Sequence, residues 1–276
     1  GTCPSSRAYD GEFDFTAAYA ASRGTILAPY ATRRMWRAMT LAAPSLADEI
    51  PAETNEFADD YPFSVPVDKK LGMDDVFAML RDHYEGTAYD MTQGPAAGPY
   101  GDPARFDVSA HQGLYPHAKD NLSPKEAFGG TFERAISLYR ASYSWASESK
   151  KGDDRLAHVW FGQYAPHAAQ YLPLYVAAPA LPPQLTTGSL YRYDAASAYW
   201  AHAALANYAA RFYVHTIGDV RALQEREERR LIGAHEEVAA GAAGRGDAEV
   251  EEELSALQAE AAGRDVRGWT ELFYPM

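Results

Sequence analysis

The 276-residue sequence predicts an α+β protein in which antiparallel strands, between about residues 131 and 177, precede a helical C-terminal third. Three observations carry this reading. From Thr131 the chain alternates: Ala135, Ser137, Tyr139, Ala141, Tyr143 and Trp145 fall on one face, with Arg134, Ile136, Leu138, Arg140, Ser142 and Ser144 on the other. That is the two-residue period of an extended chain. Two more runs rich in aromatic and branched residues, Leu156 to Gln163 and Gln170 to Ala177, follow after short turns and fit an antiparallel meander. Beyond Asp194 the period lengthens to a helical one, with Trp200, Ala204, Tyr208 and Phe212 recurring every four residues.

The remaining elements follow in order. Tyr9 to Ala31 reads as a loop-rich lead-in. Arg33 to Leu41 reads as a short helix anchored by Met35, Trp36 and Met39, its basic residues forming a solvated face around a buried Trp36. Pro44 to Lys70, broken by prolines, is a long surface connection. A clear helix starts at Asp74 and Asp75, carries Val76, Met79, Leu80 and His83 on one face, and stops at Gly86. The glycine–proline run from Gly94 to Gly101 lacks the Lys-Ser/Thr of a phosphate-binding loop, and its prolines remove backbone donors. Asp194 is placed to cap a helix reaching about Ile217. A second helix runs from Asp219 to about Ala240 on Val220, Leu223, Leu231, Ala234 and Val238, and a third from Asp247 to Ala262 on Val250, Leu254, Leu257 and Ala261. The whole, residues 1–276, reads as one domain with a helical tail at about 194–262.

Composition narrows the function. At 47% hydrophobic and 23% charged residues the chain is ordinary for a soluble globular protein, and soluble, cytoplasmic residence is expected. Its net charge of −13 and scattered basic dipeptides argue against nucleic acid as a partner. The uncharged stretch from Gly162 to Tyr191 holds Pro166, Pro173, Pro179, Pro182 and Pro183, which argues against a membrane span. The single cysteine, Cys3, has no internal partner. No cofactor or metal is implied: His235-Glu236 meets Ala239 where a second zinc ligand belongs, and His111 and His117 have no ligand spacing. Neither a Gly-x-Ser-x-Gly elbow nor a dinucleotide fingerprint occurs.

Longer strings are more telling. Arg81-Asp82 followed by His83-Tyr-Glu-Gly-Thr-Ala-Tyr-Asp-Met-Thr-Gln-Gly-Pro-Ala-Ala-Gly-Pro-Tyr-Gly101 resembles the signature block of the dipeptidase A type cysteine dipeptidases, relatives of the secernins among the N-terminal-nucleophile hydrolases. Arg33 to Arg37, Leu41 to Ser45 and Tyr61 to Val65 are similar to the same family upstream. So, downstream and in order, are Glu133 to Ser144, Val159 to Gly162, Tyr171 to Tyr175 and Thr187 to Asp194. The resemblance covers nearly the whole chain from about Tyr9 onward.

What it implies is hydrolysis of dipeptides by a cysteine at the N-terminus of a mature chain, inside a four-layer αββα sandwich of which this chain is the C-terminal portion. The thiolate attacks the peptide carbonyl, the free α-amine beside it acts as base, polar donors hold the oxyanion and water releases the acyl-enzyme. The family's Cys-Thr-Thr-like and Arg-Asn-Asp-like opening strings are not in this sequence. Cys3 is the one thiol at hand, but it precedes Pro4 and adjoins a string similar to the middle of the family's chain, so the nucleophile is expected to be encoded upstream. For the substrate carboxylate the candidates are Arg134 and Arg140, one of which is expected to line the site: both fall on the predicted strand face that carries Ile136 and Leu138, and an arginine fork grips carboxylate bidentately. The competing reading of both is a structural salt bridge. Tyr84, Glu85 and Asp90 are lesser candidates that serve equally to fix the loop. Dipeptides are the expected partners, and a second copy or a missing N-terminal segment is the expected cover for half a sandwich. The alternative is a catalytically inactive, secernin-like interaction protein using its acidic helical tail.

Overall fold

The computed structural model describes residues 28–50, 52, 62, 64–105 and 134–276. Cys3, His111, His117 and most of the predicted lead-in lie outside them. The chain divides into two compact units, residues 1–72 with 106–135, and residues 73–105 with 136–276.

In the first unit, helix α1 (Ala28–Ala42) turns Arg33, Trp36 and Thr40 inward at helical spacing. The basic run is therefore not a solvated face. Arg33 is only 3% exposed, and its Nε donates to the Ala52 carbonyl at 3.4 Å. After a 3-10 turn at Pro44–Leu46, the chain is met by Asp68, whose carboxylate accepts from Ser45 N at 2.8 Å and Ser45 Oγ at 2.5 Å. Those hydrogen bonds hold the Asp68 carboxyl below its usual range.

The second unit opens with α2 (Met73–Leu80), whose first turn carries Asp74 and Asp75 at the positive end of the helix dipole. Its buried anchor is Phe77, edge-on to Trp160 and stacked on Tyr171. A one-turn helix α3 (Gly94–Ala97) follows within the glycine–proline run. Strands β1 (Tyr143–Glu148), β2 (His158–Gln163) and β3 (Leu172–Tyr175) then form an antiparallel meander in that order, with Trp145 opposite Phe161 and Phe161 opposite Leu172. Burial alternates along β2, so Trp160 faces the core; Tyr143 and Trp145 stay exposed on the other face. Pro173 is tolerated because β3 is an edge strand.

The first strand starts later than the alternation predicts. Ser137 N is taken by the Asp82 carbonyl at 3.0 Å, and Ala141 N closes a tight turn on Leu138 O. These bonds divert the chain, so pairing begins at Tyr143 rather than near 131. Arg134, Ile136, Leu138 and Arg140 consequently share no strand face.

After the one-turn α4 (Pro183–Thr186), helices α5 (Ala198–Arg211), α6 (Tyr213–Gly241) and α7 (Asp247–Phe273) pack on the sheet and on one another. Asp194 caps a turn, not the helix, accepting from Ala196 N at 2.9 Å. The break between α5 and α6 falls at Phe212, five positions before the expected end, because the Tyr100 carbonyl captures Val214 N at 3.1 Å. Helix α7 outruns the predicted Ala262, since Asp265 and Trp269 continue its buried stripe. Phe77, Trp160, Tyr171, Leu231 and Leu254 centre one core cluster, and Leu205, Tyr213, Val220 and Trp269 a second. No helix among the described residues is long and apolar enough to cross a membrane.

Gly101 shows how closely the α5–α6 junction is approached. Its φ is +68°, and a Cβ there would lie 2.6 Å from Val214 Cγ1 and 2.8 Å from the Thr92 carbonyl. Gly101→Ala is expected to cost about 2–4 kcal/mol, combining left-handed strain with overlap. Gly152, with φ +90° and nothing within 4 Å of an added Cβ, serves as control. Its alanine variant is expected to lose about 1 kcal/mol, from strain alone. Equal shifts in the urea midpoints of the two variants would contradict the close-packing explanation.

Candidate functional site

Residues 165–173, the crossover that leaves β2 and runs two residues into β3, are all buried, and His167 and Tyr171 are their only ionisable side chains. A buried loop has to find hydrogen-bond partners without water. Here side chains supply them. Trp269 Nε1 donates to Ala168 O at 2.7 Å, and His202 Nδ1 lies 3.2 Å from the same oxygen. Gln224 Nε2 donates to His167 O at 3.1 Å and to Ala169 O at 2.9 Å, and Arg81 Nη2 reaches Ala169 O at 2.7 Å. Tyr171 N donates to Glu228 Oε1 at 2.8 Å. Residues of α5, α6 and α7, with Arg81 just past α2, thus all grip one short piece of backbone.

Arg81 and Glu228 form a guanidinium–carboxylate fork inside this grip, with Nη1 to Oε2 at 2.9 Å and Nη2 on Oε1. The Arg81 guanidinium also lies 5.0 Å from the Tyr171 ring centre. Burial raises the Glu228 carboxyl, while Arg81 and the Tyr171 amide oppose that rise. Two donors on two oxygens are the geometry of an ionised carboxylate.

The segment that follows Arg81 is the signature block of the sequence. Asp82 Oδ1 accepts from Tyr84 N at 2.8 Å, and Tyr84, fully buried, adopts φ 65°. Glu85 folds back: its Oε2 takes His83 N at 2.5 Å, and its Oε1 takes Tyr213 OH and Arg221 Nη2, each at 3.0 Å. Because the Tyr213 hydroxyl gives its proton to Glu85, it accepts from His83 Nδ1 at 3.2 Å. Burial pushes the Glu85 carboxyl up, but the hydrogen bond and charge of His83 outweigh it and leave the group well below the usual range. Burial and the Glu85 charge push the Tyr213 phenol up, so it stays protonated.

Asp90 gathers Thr92 N, Thr92 Oγ1, Gly86 N and Gln93 Nε2. Asp102 takes Ala104 N at 2.9 Å and Arg211 Nη1 at 2.5 Å. The block is therefore a chain of carboxylate-closed turns, pinned to α5 and α6 at Arg211, Tyr213, Val214 and Arg221.

A second group of polar residues closes the other end of the sheet. His158 and His235 have ring centres 4.3 Å apart; His158 Nδ1 lies 2.9 Å from Leu156 O and His235 Nδ1 3.2 Å from Tyr175 OH. Burial, then the neighbouring His158, pushes His235 down to about 4; burial and His83 push His167 down to about 3. Among the described residues no group of three His, Cys, Asp or Glu side chains is arranged to hold a metal ion.

The sequence-predicted candidates are distributed as follows. Cys3 lies outside the described residues. Arg134 is half-buried and engaged by interactions of its own, in the first unit. Arg140 is exposed, in the turn ahead of β1, in the second. Tyr84, Glu85 and Asp90 close the turns of the block. Periodicity missed Gln224, Glu228, His202 and Asp265. The signal was a gap: the apolar stripe of α6 runs through Leu223 and Leu231, and Gln224, Glu227 and Glu228 fill the buried face between them.

Two outcomes are expected. Arg81→Met leaves Glu228 buried without its cation and should cost about 3–5 kcal/mol, with much of that recovered when Glu228→Leu is added; additive losses in urea unfolding would contradict a coupled pair. Acidification should also destabilise the protein. The folded His235 and His167 bind protons more weakly than free imidazole, whose pKa is about 6.5. The unfolded chain therefore gains protons first as pH falls from 7 toward 4, and stability is lost across that window. Glu85 adds its share only below about pH 4.5. His235→Gln should flatten the slope between pH 6.5 and 4.5, and an unchanged slope would contradict the assignment.

Among curated proteins nothing matches the chain. The sequence model of Peptidase family C69 matches residues 5–226, from the lead-in to the middle of α6. This is the dipeptidase A and secernin-type family that the signature block resembles, and the match spans both gripped segments, 81–105 and 165–173. The chain belongs to peptidase family C69.

Proposed function

We propose that the protein is a cysteine-type dipeptidase of the N-terminal-nucleophile kind, and that the described residues form the frame and one wall of its active site. The observation that carries the reading is the family match over residues 5–226, which supports a peptidase. The thiol comes from outside the described residues, since Cys3 is the sequence's only cysteine and is not among them. In this reading the thiolate attacks the carbonyl of the dipeptide and forms a C–S bond. The terminal amine takes the thiol proton and returns it to the leaving amine, and water hydrolyses the thioester. Either Arg140, exposed in the turn before β1, or Arg134 is the proposed grip for the substrate carboxylate. The reading also carries the four-layer sandwich. Its support here is the sheet face bearing exposed Tyr143 and Trp145, with Tyr143 stacked on Phe161 at 5.7 Å, which is what half of such a sandwich presents.

The test is hydrolysis of a small dipeptide panel by the protein as its full gene encodes it, followed by mass spectrometry. Free dipeptides should be cleaved, and iodoacetamide should abolish cleavage. Cys3→Ala should retain turnover. Failure to cleave any member, or cleavage indifferent to thiol alkylation, would reject the dipeptidase reading and favour the inactive interaction protein.

A further inference from the structure

Where α5 gives way to α6 and the end of α7 passes them, the surface holds an open groove of about 380 Å³. Tyr208, Phe212, His215, Thr216, Asp219 and Leu272 line it, all within the second unit. Its volume lies in the range of small-molecule sites, about 300–1,000 Å³. We propose that this groove binds a small organic amine, an ammonium group on an apolar or aromatic body, with the ammonium at Asp219. The proposal goes beyond the dipeptidase reading and does not rest on it.

The hydrogen-bonding character of the lining selects the charge. Thr216 Oγ1 already donates its proton, to Ala209 O at 3.1 Å and Phe212 O at 3.0 Å. Tyr208 OH donates its own to Met276 O at 3.0 Å. Both hydroxyls are left with lone pairs alone. The first turn of α6 would ordinarily supply donors. Here Val214 N is bonded to Tyr100 O at 3.1 Å, and His215 N and Thr216 N to Phe212 O at 2.9 and 3.2 Å. The Asp219 carboxylate, which only accepts, is exposed and has no hydrogen-bond or ion-pair partner among the described residues. Among the described lining residues His215 alone can still donate, and an imidazole accepts as well. What fits such a surface is a donor.

Charge and ring faces agree. The last turns of α5 and α7 border the groove, and the carbonyl end of a helix carries negative partial charge. The last turn of α7 has no basic residue to offset it, and Arg211 at the end of α5 is paired with Asp102. Tyr208 and Phe212, with ring centres 5.0 Å apart, supply the aromatic surface that attracts a cation. The chain's net charge of −13 draws cations toward it as well. A ligand seated here lies against the junction itself. Phe212 is the residue at which α5 ends, and its ring centre is 5.2 Å from that of Tyr100, whose carbonyl makes the break.

The experiment titrates the full-length protein with phenethylamine at neutral pH, where the probe is an ammonium, and follows amide shifts by NMR with calorimetry for Kd. Shifts should cluster in residues 208–219 and 272–276, the borders of the groove. 2-Phenylethanol, the same body without charge, should bind about tenfold more weakly. Phenylalanine, which adds a carboxylate to the amine, should also bind more weakly than phenethylamine, because the lining offers that carboxylate few donors. Asp219→Asn should weaken the amine about fivefold and leave the alcohol unchanged, and Asp219→Glu should restore part of the loss. Glu225→Gln, which removes another exposed acid of α6, is the control for lost charge and should change neither Kd. Asp219 is exposed, so its variants keep the fold, which circular dichroism checks. Equal affinities for amine and alcohol, an unchanged Kd in Asp219→Asn, shifts confined to other residues, or no binding at all each overturn the site. None of these results bears on dipeptide cleavage, whose own test stands apart.

Discussion

A short piece of backbone buried away from bulk solvent organises this structure. Residues 165–171 pass through the interior between two strands, and their carbonyls at 167, 168 and 169 are met by Gln224, His202, Trp269 and Arg81. An unmet carbonyl in such a place costs roughly as much as a lost hydrogen bond. The helices consequently carry polar residues on faces that would otherwise be wholly apolar. This explains why Glu228 and Gln224 lie between Leu223 and Leu231, and why α7 brings Asp265 and Trp269 inward together.

Such a design trades raw stability for position. A buried ion pair such as Arg81–Glu228 contributes little net stabilisation compared with well-packed apolar residues, yet losing one partner is severe. What it secures is register. Arg81 follows the last turn of α2, touches Ala169 O, and leads at once into Asp82 and the carboxylate-closed turns of the signature block. The same block is tied to α5 by Asp102 and Arg211 and to α6 by Glu85 with Tyr213 and Arg221. Crossover and block are two faces of one polar scaffold.

The sequence revealed this unevenly. The strand meander, the start of the helix at Asp74 and the helical C-terminal third follow from period and charge, because those signals are local; that first helix ends at Leu80 rather than running past His83 to Gly86, since Asp82 takes the Tyr84 amide and turns the chain. The family came from long co-linear strings, which no short motif matched in weight. Three features depended on tertiary bonds and were out of local reach. Alternation through 134–145 is genuine, but Asp82 claims Ser137 N and turns half of it into a loop. The α5–α6 break at Phe212 exists because Tyr100, more than 100 residues earlier, takes the Val214 amide. Arg33 looked like a solvated base and is turned inward to Ala52 O. At the site, the polar residues that grip the crossover showed only as gaps in apolar stripes.

Native-state hydrogen exchange tests most directly whether crossover and block stand as a single cooperative unit. The amides to follow are Tyr171 N–H, which bonds Glu228, and Met91 N–H and Val214 N–H, which bond His83 O and Tyr100 O. If the account holds, all three exchange with the same opening free energy, and Gln224→Leu lowers the three together. Protection of Met91 and Val214 that is unchanged by Gln224→Leu while Tyr171 loses its own would show that the block stands independently of the crossover, and the account would be wrong.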